Sequence, residues 1–177
     1  MHGSPARSQQ DSSYSEAARR FAGAIERLAR GYEADPELRR DLLQDIHAQL
    51  WRSFAYFEGQ CSERSWVYRV AHNVAVSHMI TRRRISGEKL SALEELPDIP
   101  GEEDVEANAA ESDIAARLLA TIHRLRPTDR QVMLLYLEDL TAAEIGEVTG
   151  LSPGAVATRI HRVKAVLADK FKLEDPE

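Results

Sequence analysis

The sequence predicts an all-α fold, with two small helical domains joined by an acidic, flexible linker. Three observations carry this. Apolar residues recur at helical spacing in both halves of the chain. Between the halves, residues 85–110 lose that period and gather Gly87, Pro97, Pro100 and Gly101 among many acids. Near the C-terminus a helix, a short glycine turn and a second helix follow with the hydrophobic spacing of a helix-turn-helix. The boundaries read as a polar tail over 1–14, a first domain over 15–84, the linker over 85–110, a second domain over 111–172 and a short tail over 173–177.

A chain of 177 residues can bury a core without covalent staples. Its one cysteine, Cys61, excludes an internal disulfide and fits a reducing compartment. No apolar run approaches the roughly 20 residues of a membrane span. The start MHGSPARSQQDSS lacks the apolar core of a signal peptide. A cytoplasmic location without membrane insertion is the expectation. The net charge of −6 argues against a nucleic-acid partner until it is mapped. Ten acids between Glu88 and Asp113 face only Lys89, so the rest of the chain is net positive. Local patches, not the total, steer a polyanion.

In order, residues 1–13 are rich in Ser and Gln and read as disordered. Ser15 caps a helix with Phe21, Ile25 and Leu28 on its apolar face, and Gly31 weakens its end. Asp35-Pro36 starts the next helix, which runs to Phe54. Leu43, Ile46, Leu50 and Phe54 form its core side. Asp41, Gln44, Asp45 and Ala48 form a second stripe, either a solvated face or a docking surface.

A loop over 55–63 turns at Gly59, and Ser62 or Ser65 caps a helix over 65–84. Val67, Val70, Ala71 and Val74 are its apolar stripe. Trp66, Arg69 and Asn73 share a neighbouring side, with a ring for stacking, a cation for phosphate and an amide for base edges. A core Trp with solvated Arg and Asn fits the same pattern. Arg82, Arg83 and Arg84 close the helix, as a solvated turn that complements the helix dipole or as phosphate contacts.

Past the linker, Ile114, Leu118 and Ile122 resume helical spacing, and Leu125-Arg126-Pro127 breaks it. Thr128 is the expected cap of DRQVMLLYLEDL. Thr141 and Glu144 form a capping box, Ile145 and Val148 point inward, and Gly150 ends that helix. Ser152 caps a last helix with Pro153 in its first turn and Val156, Ile160, Val163 and Leu167 inward. Ala155, Thr158, Arg159 and Arg162 point outward near its start, where a helix-turn-helix reads the major groove. A helical hairpin without DNA binding remains the alternative.

No Gly-rich phosphate loop and no standard His/Cys ligand spacing occur, so neither an enzyme nor a metal or other cofactor is expected. Cys61, His47, His72 and His78 match no standard metal site.

Taken together, LLQDIHAQLW, FEGQCSERSW, YRVAHNVAVSHMITRRR, an acidic linker and LRPTDRQVMLLYLEDLTAAEIGEVTGLSPGAVATRIHRVK resemble the extracytoplasmic-function sigma factors, the two-domain group of the sigma-70 family. The two domains would then be sigma regions 2 and 4. The resemblance implies a non-enzymatic subunit of bacterial RNA polymerase that binds the core enzyme and promoter DNA. It implies polymerase docking through Asp41, Leu42, Gln44, Asp45 and Ala48. It implies minus-ten strand capture by the loop residues Phe57, Gly59, Gln60, Cys61, Ser62 and Arg64, backed by Trp66, Arg69 and Asn73, with phosphates held by Arg82, Arg83 and Arg84. The last helix would read the minus-thirty-five duplex with Ser152, Ala155, Thr158, Arg159, Arg162 and Lys164, while residues 129–140 pack on the polymerase flap. The linker would thread the polymerase cleft. An anti-sigma factor or other regulator is the expected further partner. Leu38, Arg39 and Arg40 stand where the family carries acids, Glu63 where it carries phenylalanine, and Ala157 where it often carries lysine. A stand-alone helix-turn-helix regulator is the competing reading.

Overall fold

The structure, a computed structural model, describes residues 5–85 and 110–172. The linker expected over 85–110, apart from its two end residues, and the tail over 173–177 lie outside them. The described chain is all-α: α1 (Pro5–Arg20), α2 (Ala22–Tyr32), α3 (Pro36–Ser53), α4 (Glu63–Ile85), α5 (Ala110–Arg124), α6 (Pro127–Leu137), α7 (Ala142–Thr149) and α8 (Pro153–Lys172).

α2, α3 and α4 pack into the first unit around Ile25, Leu28, Leu42, Ile46, Leu50, Val67 and Ala71. Asp35 caps α3 by accepting from the backbone N–H groups of Glu37 at 2.9 Å and Leu38 at 3.1 Å, with Pro36 opening the helix. Ser62, not Ser65, starts α4, since its hydroxyl accepts from the Ser65 N–H at 3.0 Å.

Two expectations for the N-terminus are corrected. The segment read as disordered is helical from Pro5. It has no strong apolar face, but polar bonds anchor it to the end of α3. Gln10 Nε2 donates to the Trp51 carbonyl at 2.7 Å, and Trp51 Nε1 donates to Asp11 at 2.8 Å. The Tyr14 hydroxyl meets His47 Nδ1 at 3.1 Å. The single helix expected from Ser15 is also interrupted at Phe21 (φ −104°, ψ 9°), which separates α1 from α2.

α5 to α8 form the second unit. Ile114, expected inward, is exposed, while Ile122 is buried. α6 opens at Pro127 with Arg126 at the cap position, not at Thr128. The capping box of α7 forms as expected. The Thr141 N–H donates to Glu144 Oε2 at 2.8 Å, and the Glu144 N–H donates to Thr141 Oγ1 at 3.3 Å. Gly150 closes α7 at φ +78°, the left-handed region. Gly150→Ala is therefore expected to cost about 1 kcal/mol, read as a lower urea midpoint with an unchanged slope. The Ser152 hydroxyl accepts from the Ala155 N–H at 3.2 Å and fixes the start of α8.

The two units lie against each other, with α2 on α5 and α6, and α4 on α7. One cluster of buried side chains runs from Ile25 and Leu28 to Ile122, Leu134 and Leu135. Gly31 has a role beyond weakening α2. A Cβ there would come within 2.5 Å of Leu134 Cδ2, so glycine lets α2 approach α6.

Candidate nucleic-acid interface

The loop between α3 and α4 is held by its own side chains. Gln60 accepts from the Glu58 N–H at 3.0 Å and donates to the Tyr56 carbonyl at 2.8 Å, bracing the turn at Gly59 (φ +80°). Gly59, Gln60 and Ser62 are exposed, and Cys61 is half-buried with a free thiol. Phe57 turns inward, its ring 5.8 Å from that of Phe54 and 5.2 Å from that of Trp66. Trp66 donates its Nε1–H to the Ser53 hydroxyl at 3.0 Å. The Trp66 ring, read either as a stacking surface or as a core residue, and the Phe57 ring of the strand-capture loop therefore line the edge of the core. The exposed ring is Tyr56, at 74%. It lies within the expected loop over 55–63, one residue before those assigned to strand capture, and its place between Phe54 and Phe57 in the sequence is the signal that could have found it.

On α4, Asn73 is exposed, which the base-edge reading and the solvated reading both require. It lines an open groove of about 810 Å³ between α3 and α4, together with Asp41, Asp45, Ala48, Arg52 and Arg82. The acidic stripe of α3 and the polar side of α4 are thus opposite walls of one groove. Asp41, Gln44, Asp45 and Ala48 are exposed. Leu42 is not. It is 0% exposed and belongs to the core, because it falls on the inward side with Ile46 and Leu50. At the end of α4, Arg82 lies 3.8 Å from Glu33, which also meets His78 at 3.2 Å. Arg83 is half-buried and Arg84 exposed.

Arg64 and Arg69 are engaged by the second unit. Arg64 donates to the Glu138 carbonyl and lies 3.9 Å from the Glu144 carboxylate. Arg69 donates to the Glu147 carbonyl at 2.6 Å, and the Ser65 hydroxyl donates to the Glu147 carboxylate at 3.0 Å. Beside them the Glu138 carboxylate accepts from Arg27 at 2.6 and 2.8 Å and from the Tyr68 hydroxyl at 3.1 Å. Burial, then the Glu138 charge, push the Tyr68 phenol up to about 12, so it is a donor at any working pH. Glu138 and Glu147 did not stand out in the sequence, where each resembles an ordinary solvated charge, and Glu144 stood out only as the capping-box partner of Thr141.

On α8, Ser152, Thr158 and Lys164 are exposed, and Ala155, Arg159 and Arg162 are half-buried. Thr158 donates to the Gly154 carbonyl at 3.0 Å, and the Lys164 ammonium lies over the Tyr136 ring at 5.4 Å. Ala157 and His161, absent from the expected reading set, are exposed on the same face. The inward set Val156, Ile160 and Val163 implied both by periodicity. Arg159 and Arg162 both turn to Asp129 on α6.

The histidines considered as metal ligands each have other partners: Tyr14 for His47, Tyr32 for His72 and Glu33 for His78.

The pattern described as Sigma-70 region 2 matches residues 17–85, and that described as Sigma-70, region 4 matches residues 115–167. The ECF RNA polymerase sigma factor SigE of Mycolicibacterium smegmatis is 30% identical over 159 residues, 89% of this chain and 61% of that protein. The chain belongs to the sigma-70 family, in its extracytoplasmic-function group. The ECF RNA polymerase sigma factor SigG of Mycobacterium tuberculosis is 28% identical over 149 residues, 72% of this chain and 40% of the relative. The chain thus spans less than two thirds of either relative's length. In fold it is similar to the sigma factor RpoE of Bartonella quintana, solved with the anti-sigma factor NepR, at a TM-score of 0.68 and 16% identity, covering 92% of this chain and 99% of that one. The units of this sigma-70 family chain are accordingly region 2, α2 to α4, and region 4, α5 to α8. Among the described residues, no helix is long and apolar enough to cross a membrane.

Proposed function

We propose that this chain is a promoter-specificity subunit of bacterial RNA polymerase. It binds the core enzyme, reads a minus-thirty-five duplex with α8 and captures minus-ten non-template bases at the loop and α4. It forms no covalent intermediate and needs no cofactor. A cytoplasmic location follows from this role. One observation carries the reading. Exposed Asn73, in a groove walled by the acidic stripe of α3, shares a chain with an exposed recognition helix in the family's order.

Asp41, Gln44, Asp45 and Ala48 dock on the polymerase, and Leu42 supports them from the core. Tyr56 is the ring available to stack on an unpaired base, Asn73 supplies the amide that reads a base edge, and Arg84 lies where a phosphate can reach it. Arg64 and Arg69 join them only when region 4 moves away, because Glu138, Glu144 and Glu147 flank those side chains in the closed arrangement. Arg39, where the family carries an acid, donates to the carbonyls of Glu33 and Ala34 at 3.5 and 3.4 Å, so it braces the entry to α3. An anti-sigma factor, of the kind that accompanies the Bartonella relative, is the regulatory partner that fits this two-domain form.

Run-off transcription with core polymerase, followed by sequencing of the transcript starts, tests the role. Transcripts from a defined promoter set are expected. Duplex binding without core capture or transcripts would instead make the chain a stand-alone regulator. Asn73→Ala is expected to lower open-complex formation about tenfold, the cost of one base-edge contact, and to leave minus-thirty-five binding unchanged. Permanganate footprinting and a duplex-binding assay read the two separately.

A further inference from the structure

We propose that Asp129, on α6 and outside the helix-turn-helix, is a positioning residue for duplex reading: it aims Arg159 and Arg162 of the recognition helix. The proposal rests on the sigma-factor reading above and goes beyond it.

Asp129 is buried, with 4% of its side chain exposed. Its Oδ1 accepts from Arg159 Nη1 at 2.8 Å and from Arg162 Nη2 at 2.9 Å, and its Oδ2 accepts from Arg162 Nη2 at 2.8 Å. Arg126 Nε lies 3.9 Å from Oδ2. A buried carboxylate needs a cation, but one suffices. Here two arginines one turn apart on α8 converge on it, with a third beside them. The two guanidiniums of Arg159 and Arg162 against one carboxylate leave this group net positive at the surface of the recognition helix.

The exposure of the partners supports a role in binding. The Arg159 and Arg162 side chains remain 33% and 41% exposed. Each guanidinium carries five donors in a rigid fork and spends one nitrogen on Asp129. Donors are left on both for DNA, in a fixed orientation. A long side chain that must be ordered on binding loses rotamer entropy at that moment, and one already held does not. Asp129 therefore trades free positive charge for fixed geometry. Charge alone supports sequence-independent binding, whereas fixed donors discriminate bases.

That trade sets the sign of the test. The probe is a duplex enriched from a random library by the full wild-type chain, compared with a scrambled duplex at the same salt. Asp129→Asn removes one negative charge from beside the DNA and frees the two arginines. The expected result is scrambled-duplex binding two- to threefold tighter, with the ratio of specific to non-specific affinity about tenfold lower. On an Arg159→Ala, Arg162→Ala background, Asp129→Asn is expected to leave the ratio unchanged. If the ratio is unchanged in the single variant, or both affinities fall together, Asp129 is structural only and the proposal is overturned. If Asp129→Asn loses the helical signal in circular dichroism, Arg159→Lys carries the test: it keeps the charge and loses the fork. A lower ratio at undiminished scrambled-duplex affinity supports positioning, and an unchanged ratio overturns it. A wild-type chain that enriches no duplex would sink the promoter-reading role itself, a failure distinct from that of Asp129.

Discussion

Glu138→Arg is expected to open the molecule. In the closed arrangement the Glu138 carboxylate takes both Arg27 bonds and the Tyr68 bond, so it ties α6 of region 4 to α2 and α4 of region 2. Hydrogen bonds to a charged group contribute ~1.5–3 kcal/mol when well shielded. The Glu138 side chain is 15% exposed but Arg27 is 63% exposed, so solvent screening reduces that contribution. Reversal to arginine also adds repulsion from Arg27 and from Arg64, which lies at the Glu138 backbone. A net shift of about 2 kcal/mol in the closed–open equilibrium follows, roughly thirtyfold.

Region 4 itself is spared, because Arg27 and Tyr68, the side chains that bond the Glu138 carboxylate, lie on region 2. Two measurements read the change. The radius of gyration in small-angle scattering should rise. Affinity for a single-stranded minus-ten oligonucleotide should rise by up to the same thirtyfold, since apparent affinity scales with the competent fraction. A variant with wild-type scattering and wild-type oligonucleotide affinity would show that Glu138 does not hold Arg64 and Arg69 back from DNA.

The features legible in the sequence were local ones. The Thr141–Glu144 box, Gly150 at positive φ and the Ser152 cap are set by neighbours within four residues, and each formed as read. The inward and outward sides of α8 follow from period alone. The exposure of Asn73 was legible for the same reason, as a polar position on a side neighbouring an apolar stripe. The misreadings share a different cause. Leu42 and Leu43 are adjacent apolar residues on α3, and a pattern on one helix does not say which of them meets α2 and α4. Leu42 is the one buried.

Trp66 stayed open between a stacking ring and a core residue because its inward partner, Ser53, lies across the loop, where Phe57 turns in on Phe54 and Trp66. The helical start of α1 was hidden because its anchors are Trp51 and His47, at the far end of α3. The closure of region 4 on region 2 was hidden for the same reason. It pairs Arg27, Arg64 and Arg69 with residues 74 to 111 positions away. Charge patterning within one helix cannot reveal such pairs.

His72 gives the second large effect, and its sign follows from burial. The ring lies in the first-unit core at 1% exposure, where the Tyr32 hydroxyl meets Nδ1 at 2.9 Å. Arg130 lies over the same Tyr32 ring at 5.8 Å, so the nearby fixed charge is also positive. Burial lowers the His72 pKa to about 3 in the folded chain. In the unfolded chain it returns to about 6.5. Between those values the unfolded state binds the extra proton, so stability falls as pH drops below about 6.5 and the loss continues towards pH 3.

The slope is at most about 1.4 kcal/mol per pH unit, or about 2 kcal/mol lost by pH 5. Burial also lowers the pKa of His47 and His123, which add slope of the same sign. Comparison with His72→Phe separates them, because that variant keeps the ring volume and removes one titrating group. Phe leaves the Tyr32 hydroxyl unpaired, so the variant is expected to be less stable than wild type at pH 7.5. Its urea midpoint should nevertheless fall less steeply from pH 7 to pH 5, and the two curves should converge. Parallel curves would mean that His72 takes up its proton in the folded core, which its burial opposes.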